Sequence, residues 1–165
     1  MVVTVMRVGV IGVGSMGRNH VRVYSEIAEL VGVTDVMKES SKAVAEKFGV
    51  RVFDTPEELL AHVDAVSICT PTSEHLKVAR LAVEKGVHLL VEKPFTGASV
   101  TAEELVGLAD KARVTLASGF IERSNPIVGN MKRMVQSKAF GDVISIASRR
   151  VSSFPARVRD VGVIM

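Results

Sequence analysis

The sequence predicts an α/β fold built on a doubly wound parallel sheet. Short apolar runs typical of strands alternate with amphipathic stretches typical of helices, at a spacing of about 30 residues from strand to strand. This alternation indicates β-α-β crossovers, which make neighbouring strands parallel. Residues 65–69 are apolar at nearly every position, as expected for a strand covered by helices on both faces.

Each element has its own local signal. The predicted strands are 8–11, 30–36, 51–53, 65–69, 87–91, 114–117 and 143–151, and the predicted helices are 16–30, 40–48, a short one after residue 55, 73–85, 100–113 and 124 to about 138. Glycines at 49 and 86 end two helices. Thr55-Pro56-Glu57-Glu58 combines an N-cap, a proline at the first helical position and a glutamate at the third. Asn125-Pro126 opens the last helix in the same way.

Composition places the chain among globular proteins. Its 165 residues are 47% hydrophobic and 24% charged, enough apolar material for one domain with a buried core. No apolar stretch reaches the roughly 18 residues of a membrane span, and no charged leader precedes an apolar segment. The single cysteine, Cys69, excludes an internal disulfide and a cysteine-based zinc site, so we predict no metal and a cytoplasmic location.

The net charge of +3 lies in the tail. Residues 149–165 hold four arginines and one aspartate, which leaves the first 148 residues neutral. A nucleic-acid-binding protein would carry a basic face interleaved with aromatic side chains, and only 4% of this chain is aromatic. We therefore expect no nucleic acid as partner. The tail arginines suit a phosphate-bearing substrate, a partner subunit or solvent.

A glycine-rich turn is the strongest functional signal. Gly12-Val13-Gly14-Ser15-Met16-Gly17 follows the first predicted strand and opens the first predicted helix. In such a turn the first glycine permits the tight bend, the second lets the backbone approach a pyrophosphate, and the third allows close helix–strand packing. The helix N-terminus adds N–H donors and a partial positive charge. The alternative is a glycine turn without a ligand.

An acidic residue completes this pattern. Asp35 lies 21 residues after Gly14, at the end of the second predicted strand, where a carboxylate accepts hydrogen bonds from the adenosine ribose. The same charge repels a 2′-phosphate, which favours NAD over NADP. Lys38 is close enough in sequence to weaken that preference. The alternative is that Asp35 is a surface residue that binds no ligand.

Further polar residues follow the fourth and fifth predicted strands. Thr70 and Pro71 come directly after residues 65–69, at the sheet edge where ligands of such folds bind. His75 falls in the first turn of the next helix and is either a site residue or a capping or surface histidine. Cys69 reads as a small buried hydrophobe.

Glu92-Lys93-Pro94 ends the fifth predicted strand. This segment brings an ammonium group to the edge that carries the glycine turn. Lys93 could hydrogen-bond a substrate hydroxyl or lower the pKa of a neighbouring acid. The alternative is that the segment is a solvated strand end. Pro94 could hold the turn rigid through a cis peptide bond.

Together these motifs resemble the glucose-fructose oxidoreductase / inositol dehydrogenase family (Gfo/Idh/MocA). The residues that carry the resemblance, in order, are Gly9 to Gly17, His20, Asp35, Thr70-Pro71 with His75, and Glu92-Lys93-Pro94. Within that family, residues 119–126 and 154–162 look most like the branch acting on UDP-N-acetylglucosamine-type nucleotide sugars at C3 of the sugar.

The resemblance implies a Rossmann domain over residues 1–120, followed by the first helix and strand of an α/β substrate and oligomerisation domain over 121–165. It implies hydride transfer between nicotinamide and a sugar carbon, in a homo-oligomer. Lys93 would be catalytic and contact the reacting hydroxyl, and Asn125 would face the substrate. The residues expected to line NAD are Gly12, Gly14, Ser15, Met16, Asp35, Thr70, Pro71, His75 and Glu92.

The sequence also departs from the family pattern. Members of the family continue into an Asp-x-x-x-His segment that supplies an acid/base histidine, and this chain ends at Met165 before it. We therefore expect a truncated protein, and the alternative function is a non-catalytic NAD-binding module or sensor. A basic-tail nucleic-acid binder is a third and weaker possibility.

Overall fold

The computed structural model of the chain describes residues 5–149. Residues 5–119 form one compact unit, and residues 120–149 belong to a second. The first unit holds the whole sheet and nearly all of the predicted site residues. The second begins with a short 3-10 turn, Ile121–Ser124, and a helix.

Six parallel strands form the sheet, as the sequence predicts. They are β1 Arg7–Ile11, β2 Glu29–Thr34, β3 Arg51–Val52, β4 Ala65–Ile68, β5 His88–Val91 and β6 Leu116–Ser118. Their order across the sheet is β3-β2-β1-β4-β5-β6. The chain therefore winds one way from β1 to β3 and the other way from β4 to β6. The switch between β1 and β4 is where such sheets bind ligands.

Helices cover both faces of this sheet. They are α1 Ser15–Ile27, α2 Lys38–Phe48, α3 Pro56–Leu60, α4 Thr72–Glu84 and α5 Ser99–Ala112, with α6 Pro126–Gln136 in the second unit. Val10 and Ile11 are adjacent on β1 but belong to different buried clusters, because successive side chains of a strand point to opposite faces. None of the helices within residues 5–149 is both long and apolar enough to cross a membrane.

The helix-start and helix-stop signals act as predicted. Gly49 ends α2 in the left-handed region at φ +66°. Thr55 accepts a hydrogen bond from the backbone N–H of Glu58 at 3.2 Å. The Glu58 carboxylate reaches the backbone N–H of Asp54 at 3.0 Å, one residue earlier than the usual capping box.

One predicted helix end and one predicted strand differ from the structure. The first helix ends at Ile27, and Leu30, which the sequence placed in both that helix and the next strand, belongs to the strand and pairs with Val8. Strand pairing outweighs the helical spacing of one apolar residue. The strand predicted over 143–151 does not form in residues 143–149, which pair with no other described segment. Alternating polarity favours a strand only where a neighbour accepts its hydrogen bonds. Residues 150–151 lie outside the described part.

Candidate cofactor site

The glycine-rich turn joins β1 to α1 and requires glycine at two positions. Gly12 has φ +85°, and a Cβ there would lie 2.8 Å from the Cys69 carbonyl carbon and from the Thr70 nitrogen. A Cβ at Gly17 would lie 1.8 Å from the Gly12 carbonyl oxygen. The turn thus packs directly against the end of β4, and neither position has room for a side chain.

At Gly14 the surroundings are open. A Cβ built there would meet no atom within 4 Å, so the backbone can be approached closely by another molecule. Gly14 is also the N-cap of α1, which has no side-chain cap. The first-turn N–H groups of any helix lack intrahelical partners, and those of Ser15 and Met16 begin α1 at this point. This arrangement suits an anion such as a pyrophosphate.

Asp35 follows β2 and is tied to the turn. Its Oδ2 accepts the backbone N–H of Val13 at 2.7 Å, and its Oδ1 accepts the backbone N–H of Met37 at 2.8 Å. Each carboxylate oxygen can accept a second hydrogen bond. Two acceptor positions therefore remain, which is the number that two ribose hydroxyls require.

Lys38 is engaged elsewhere. Its Nζ donates to Asp54 Oδ1 at 2.6 Å and to the Asp54 carbonyl oxygen at 3.0 Å. The ammonium group of Lys38 is thus already paired with the carboxylate of Asp54 and not with that of Asp35. A 2′-phosphate would have to compete with Asp54 for it.

Thr70 and Pro71 lie at the end of β4, beside the glycine turn. Thr70 Oγ1 is buried and has no hydrogen-bond partner among the described residues. Pro71 is the N-cap of α4 and makes no side-chain cap. A buried hydroxyl without a partner at this edge is a candidate for a hydrogen bond to a bound ligand.

His75 is buried and bridges two loops. It is 1% exposed, with Nε2 3.0 Å from the Thr70 carbonyl oxygen and Nδ1 2.9 Å from that of Pro94. The interpretation as a surface or capping histidine is therefore wrong, because the ring turns inward between the ends of β4 and β5. Its contact with NAD remains a prediction.

Glu92 and Lys93 end β5 in opposite environments. Glu92 is 4% exposed; its Oε1 lies 2.9 Å from His20 Nε2 and its Oε2 accepts the backbone N–H of Lys93 at 3.1 Å. Burial alone would raise the pKa of Glu92, but the hydrogen bonds from His20 and from the Lys93 backbone, with the positive charge of Lys93, hold that pKa below its usual value. The Lys93 side chain is exposed, and the Lys93–Pro94 peptide bond is cis, as expected.

Cys69 behaves as the sequence suggests. Burial, with the charge of Glu92, raises the pKa of its thiol to about 12. The thiol is therefore protonated and unreactive at neutral pH.

Two features of the edge have no counterpart in the sequence prediction. Ser118, at the end of β6, has a buried hydroxyl without a partner among the described residues, like Thr70. Ser67 on β4 and Tyr24 on α1 extend the contact between His20 and Glu92. A serine inside an apolar strand is the only sequence signal that pointed to any of them.

Asn125 lies in the second unit, where it caps α6. Its side chain accepts the backbone N–H of Ile127 at 3.0 Å and donates to Glu122 Oε2 at 3.2 Å. Capping explains this residue locally. Its predicted role toward a substrate stays a prediction.

The strand order of the sheet, the glycine-rich turn and the Asp35 carboxylate at the end of β2 together define a dinucleotide-binding domain. The open backbone at Gly14, the free acceptor positions of Asp35 and the unpaired Thr70 hydroxyl all fit NAD. Residues 6–120 match the family model described as "Oxidoreductase family, NAD-binding Rossmann fold". The chain belongs to this Gfo/Idh/MocA oxidoreductase family.

Similar proteins are sugar and inositol dehydrogenases. The chain is 42% identical over 160 residues to UDP-N-acetylglucosamine 3-dehydrogenase of Acidithiobacillus ferrooxidans, which covers 97% of this chain and 50% of the relative. It is 32% identical over 149 residues to inositol 2-dehydrogenase 1 of Saccharopolyspora erythraea, covering 86% and 44%. A solved structure of the Acidithiobacillus enzyme superimposes with a TM-score of 0.76 at 45% identity, over 78% of this chain and 41% of that one. The chain thus spans about half the length of these relatives.

Proposed function

We propose that the protein binds NAD(H) and is a dehydrogenase that acts on a hydroxyl-bearing carbon of a sugar or nucleotide sugar. The observation that carries this proposal is the convergence at one sheet edge of an open helix N-terminus, a carboxylate with two free acceptor positions and an unpaired buried hydroxyl. The exposed ammonium group of Lys93 ends the adjoining strand. Family membership supports the class of reaction.

The proposed substrate is UDP-N-acetylglucosamine or a related nucleotide sugar, oxidised at C3 of the sugar. The 42% identity to UDP-N-acetylglucosamine 3-dehydrogenase supports this choice over an inositol, since the inositol dehydrogenase relative is 32% identical. We further propose a homo-oligomer in the cytoplasm. Residues 1–120 would form the cofactor domain and residues 121–165 would belong to a substrate domain.

Each part of the edge has a proposed role. Gly12, Gly14, Ser15 and Met16 would hold the pyrophosphate, Asp35 the adenosine ribose, and Thr70, Pro71, His75 and Glu92 the rest of the cofactor. Lys93 would donate a hydrogen bond to the reacting hydroxyl and stabilise negative charge on its oxygen. Asn125 would contact the substrate. NAD, when bound, would supply the hydride acceptor at its nicotinamide, and the hydroxyl proton would pass to a base or to solvent water.

The proposed cofactor is NAD in preference to NADP. Asp35 repels a 2′-phosphate, and Lys38, the cation that could neutralise one, is paired with Asp54 at 2.6 Å. An exposed ion pair of this kind is weak, so it reduces the attraction for a 2′-phosphate without abolishing it.

Titration with NADH tests the proposal. Binding increases and blue-shifts the fluorescence of directly excited NADH, and since the chain has no tryptophan, energy transfer from tryptophan makes no contribution to the signal. We expect saturable binding that excess NAD displaces. Unchanged NADH fluorescence at high protein concentration would contradict the proposed function.

Lys93→Ala separates binding from chemistry. NADH affinity should stay within about threefold of the wild type, because the Lys93 side chain makes no hydrogen bond within residues 5–149. In a full-length version of the protein, NAD reduction with UDP-N-acetylglucosamine, followed at 340 nm, should be lost. NADH binding by the wild type without turnover of any sugar would favour the non-catalytic module instead.

A further inference from the structure

Four polar side chains form a continuous hydrogen-bonded chain. The Tyr24 hydroxyl lies 2.7 Å from Ser67 Oγ, Ser67 Oγ lies 3.0 Å from His20 Nδ1, and His20 Nε2 lies 2.9 Å from Glu92 Oε1. Ser67 is fully buried and Glu92 is nearly so. This hydrogen-bonded chain runs from α1 across β4 to the end of β5, and the proposed function uses only one of its members, Glu92.

With a neutral His20 ring, the hydrogen bonds of this hydrogen-bonded chain have one consistent direction. An ionised carboxylate only accepts hydrogen bonds, so His20 Nε2 carries a hydrogen and donates to Glu92 Oε1. The Nδ1 of a neutral ring then accepts from the Ser67 hydroxyl, whose oxygen accepts from Tyr24. Every donor therefore points toward the Glu92 carboxylate, and each buried polar atom of the chain has a partner.

Glu92 is confined from its other side as well. Its Oε2 accepts the backbone N–H of Lys93, and a Cβ at Gly119 would lie 2.9 Å from its Oε1. The carboxylate thus sits between the His20 ring and the backbone of Gly119. The backbone of Lys93 is held through it.

We propose that His20 is a positioning residue, which holds the Glu92 carboxylate in place and thereby fixes Lys93 at the cofactor edge. This inference rests on the proposed function for the role of Lys93. His20 itself contacts Ser67 and Glu92 and has no part in the proposed cofactor contacts.

Loss of His20 should change how Glu92 titrates. The groups that face Glu92 are His20 from α1, Lys93 on its own strand end and the Cys69 thiol at the end of β4, while Tyr24 reaches it through Ser67. Without the His20 donor, burial favours the neutral carboxyl and only Lys93 opposes it. A neutral carboxyl is a weaker acceptor for the Lys93 N–H, so the edge should loosen as the pH falls.

The test compares His20→Leu, His20→Gln and the wild type. Glu92 is titrated by carbon NMR of protein labelled at the glutamate side-chain carboxyl, with Glu92→Gln to assign the signal. NADH affinity is measured on the same samples from pH 8 to pH 5.5. His62→Leu, the same substitution at an exposed histidine, is the matched control.

We expect His20→Leu to raise the Glu92 pKa. Between pH 8 and pH 5.5, the NADH affinity of this variant should fall by a factor at least threefold larger than the fall in the wild type. His20→Gln, which keeps an N–H donor, should fall in between and serves if the leucine variant does not fold. An unchanged Glu92 titration, or identical pH profiles of NADH affinity in folded variants and wild type, would overturn the inference. Absence of NADH binding by the wild type would instead refute the proposed function, while the Glu92 titration still decides whether His20 holds the carboxylate.

Discussion

Replacing Asp35 by alanine removes the carboxylate that would recognise the adenosine ribose. In the structure both oxygens hold backbone N–H groups, of Val13 at 2.7 Å and of Met37 at 2.8 Å. The substitution therefore also frees the glycine-rich turn from its anchor on the end of β2. Both consequences weaken NADH binding.

The magnitude follows from the two acceptor positions that Asp35 leaves for the ribose. A hydrogen bond to a charged group contributes about 1.5–3 kcal/mol, and Asp35 is half-buried, so the lower figure applies. Two such bonds give about 3 kcal/mol, or about 100-fold in the dissociation constant of NADH. NADPH offers one ribose hydroxyl and loses a repulsive charge, so its affinity should change less than about tenfold.

Fluorescence titrations of the variant with NADH and NADPH measure this difference. Asp64→Ala is the matched control, because Asp64 also accepts a backbone N–H, that of Arg7 at 3.0 Å, but at the opposite edge of the sheet. It should leave NADH affinity unchanged. An equal loss of affinity for NADH and NADPH in Asp35→Ala would refute the ribose contact.

Three further outcomes can be checked on the same protein. Gly17→Ala should destabilise the fold by about 3 kcal/mol, at the upper end for single substitutions, and abolish NADH binding, because its Cβ would overlap the Gly12 carbonyl oxygen; thermal unfolding and titration measure both. Cys69, with a pKa of about 12, should react with iodoacetamide at pH 8 on the order of 1000-fold more slowly in the native protein than in urea, and equal rates would contradict its burial. The side-chain and backbone hydrogen bonds of Arg7 lower the pKa of Asp64, so this pair stabilises the fold above about pH 4 and loses that effect as the pH falls; the midpoint of thermal unfolding of Asp64→Asn should vary less with pH than that of the wild type.

The parts of the fold that could be predicted from sequence depend on local signals. The glycine turn and Asp35 are recognisable because each residue has a conformational or chemical reason to occupy its position beside a strand end. The helix that starts after Thr55 follows from its cap in the same way. The strand predicted over 143–151 had a local pattern too, but a strand forms only with a partner, which local sequence does not reveal.

The side-chain contacts of the edge could not be predicted, because they join residues far apart in the chain. His20 and Ser67 are 47 positions apart, and His20 and Glu92 are 72 positions apart. Only the parallel sheet, which places β1, β4 and β5 side by side, brings them together. His75 was recognised as a candidate, yet whether its ring faced solvent or the neighbouring loop depended on packing that sequence does not show.

The contacts at the carboxyl edge share a physical origin. Ladder hydrogen bonds stop where the strands end, and the backbone groups of the following loops then need other partners. Asp35 supplies one to the glycine turn, and Glu92, held by His20, supplies one to Lys93. The His75 ring lies within hydrogen-bond distance of carbonyl oxygens in the loops after β4 and β5. Because all of these contacts are made within residues 5–119, the edge has its geometry without help from a ligand, and binding there spends less free energy on ordering loops. The same reasoning explains why one substitution at His20 should affect NADH affinity without removing a contact to NADH.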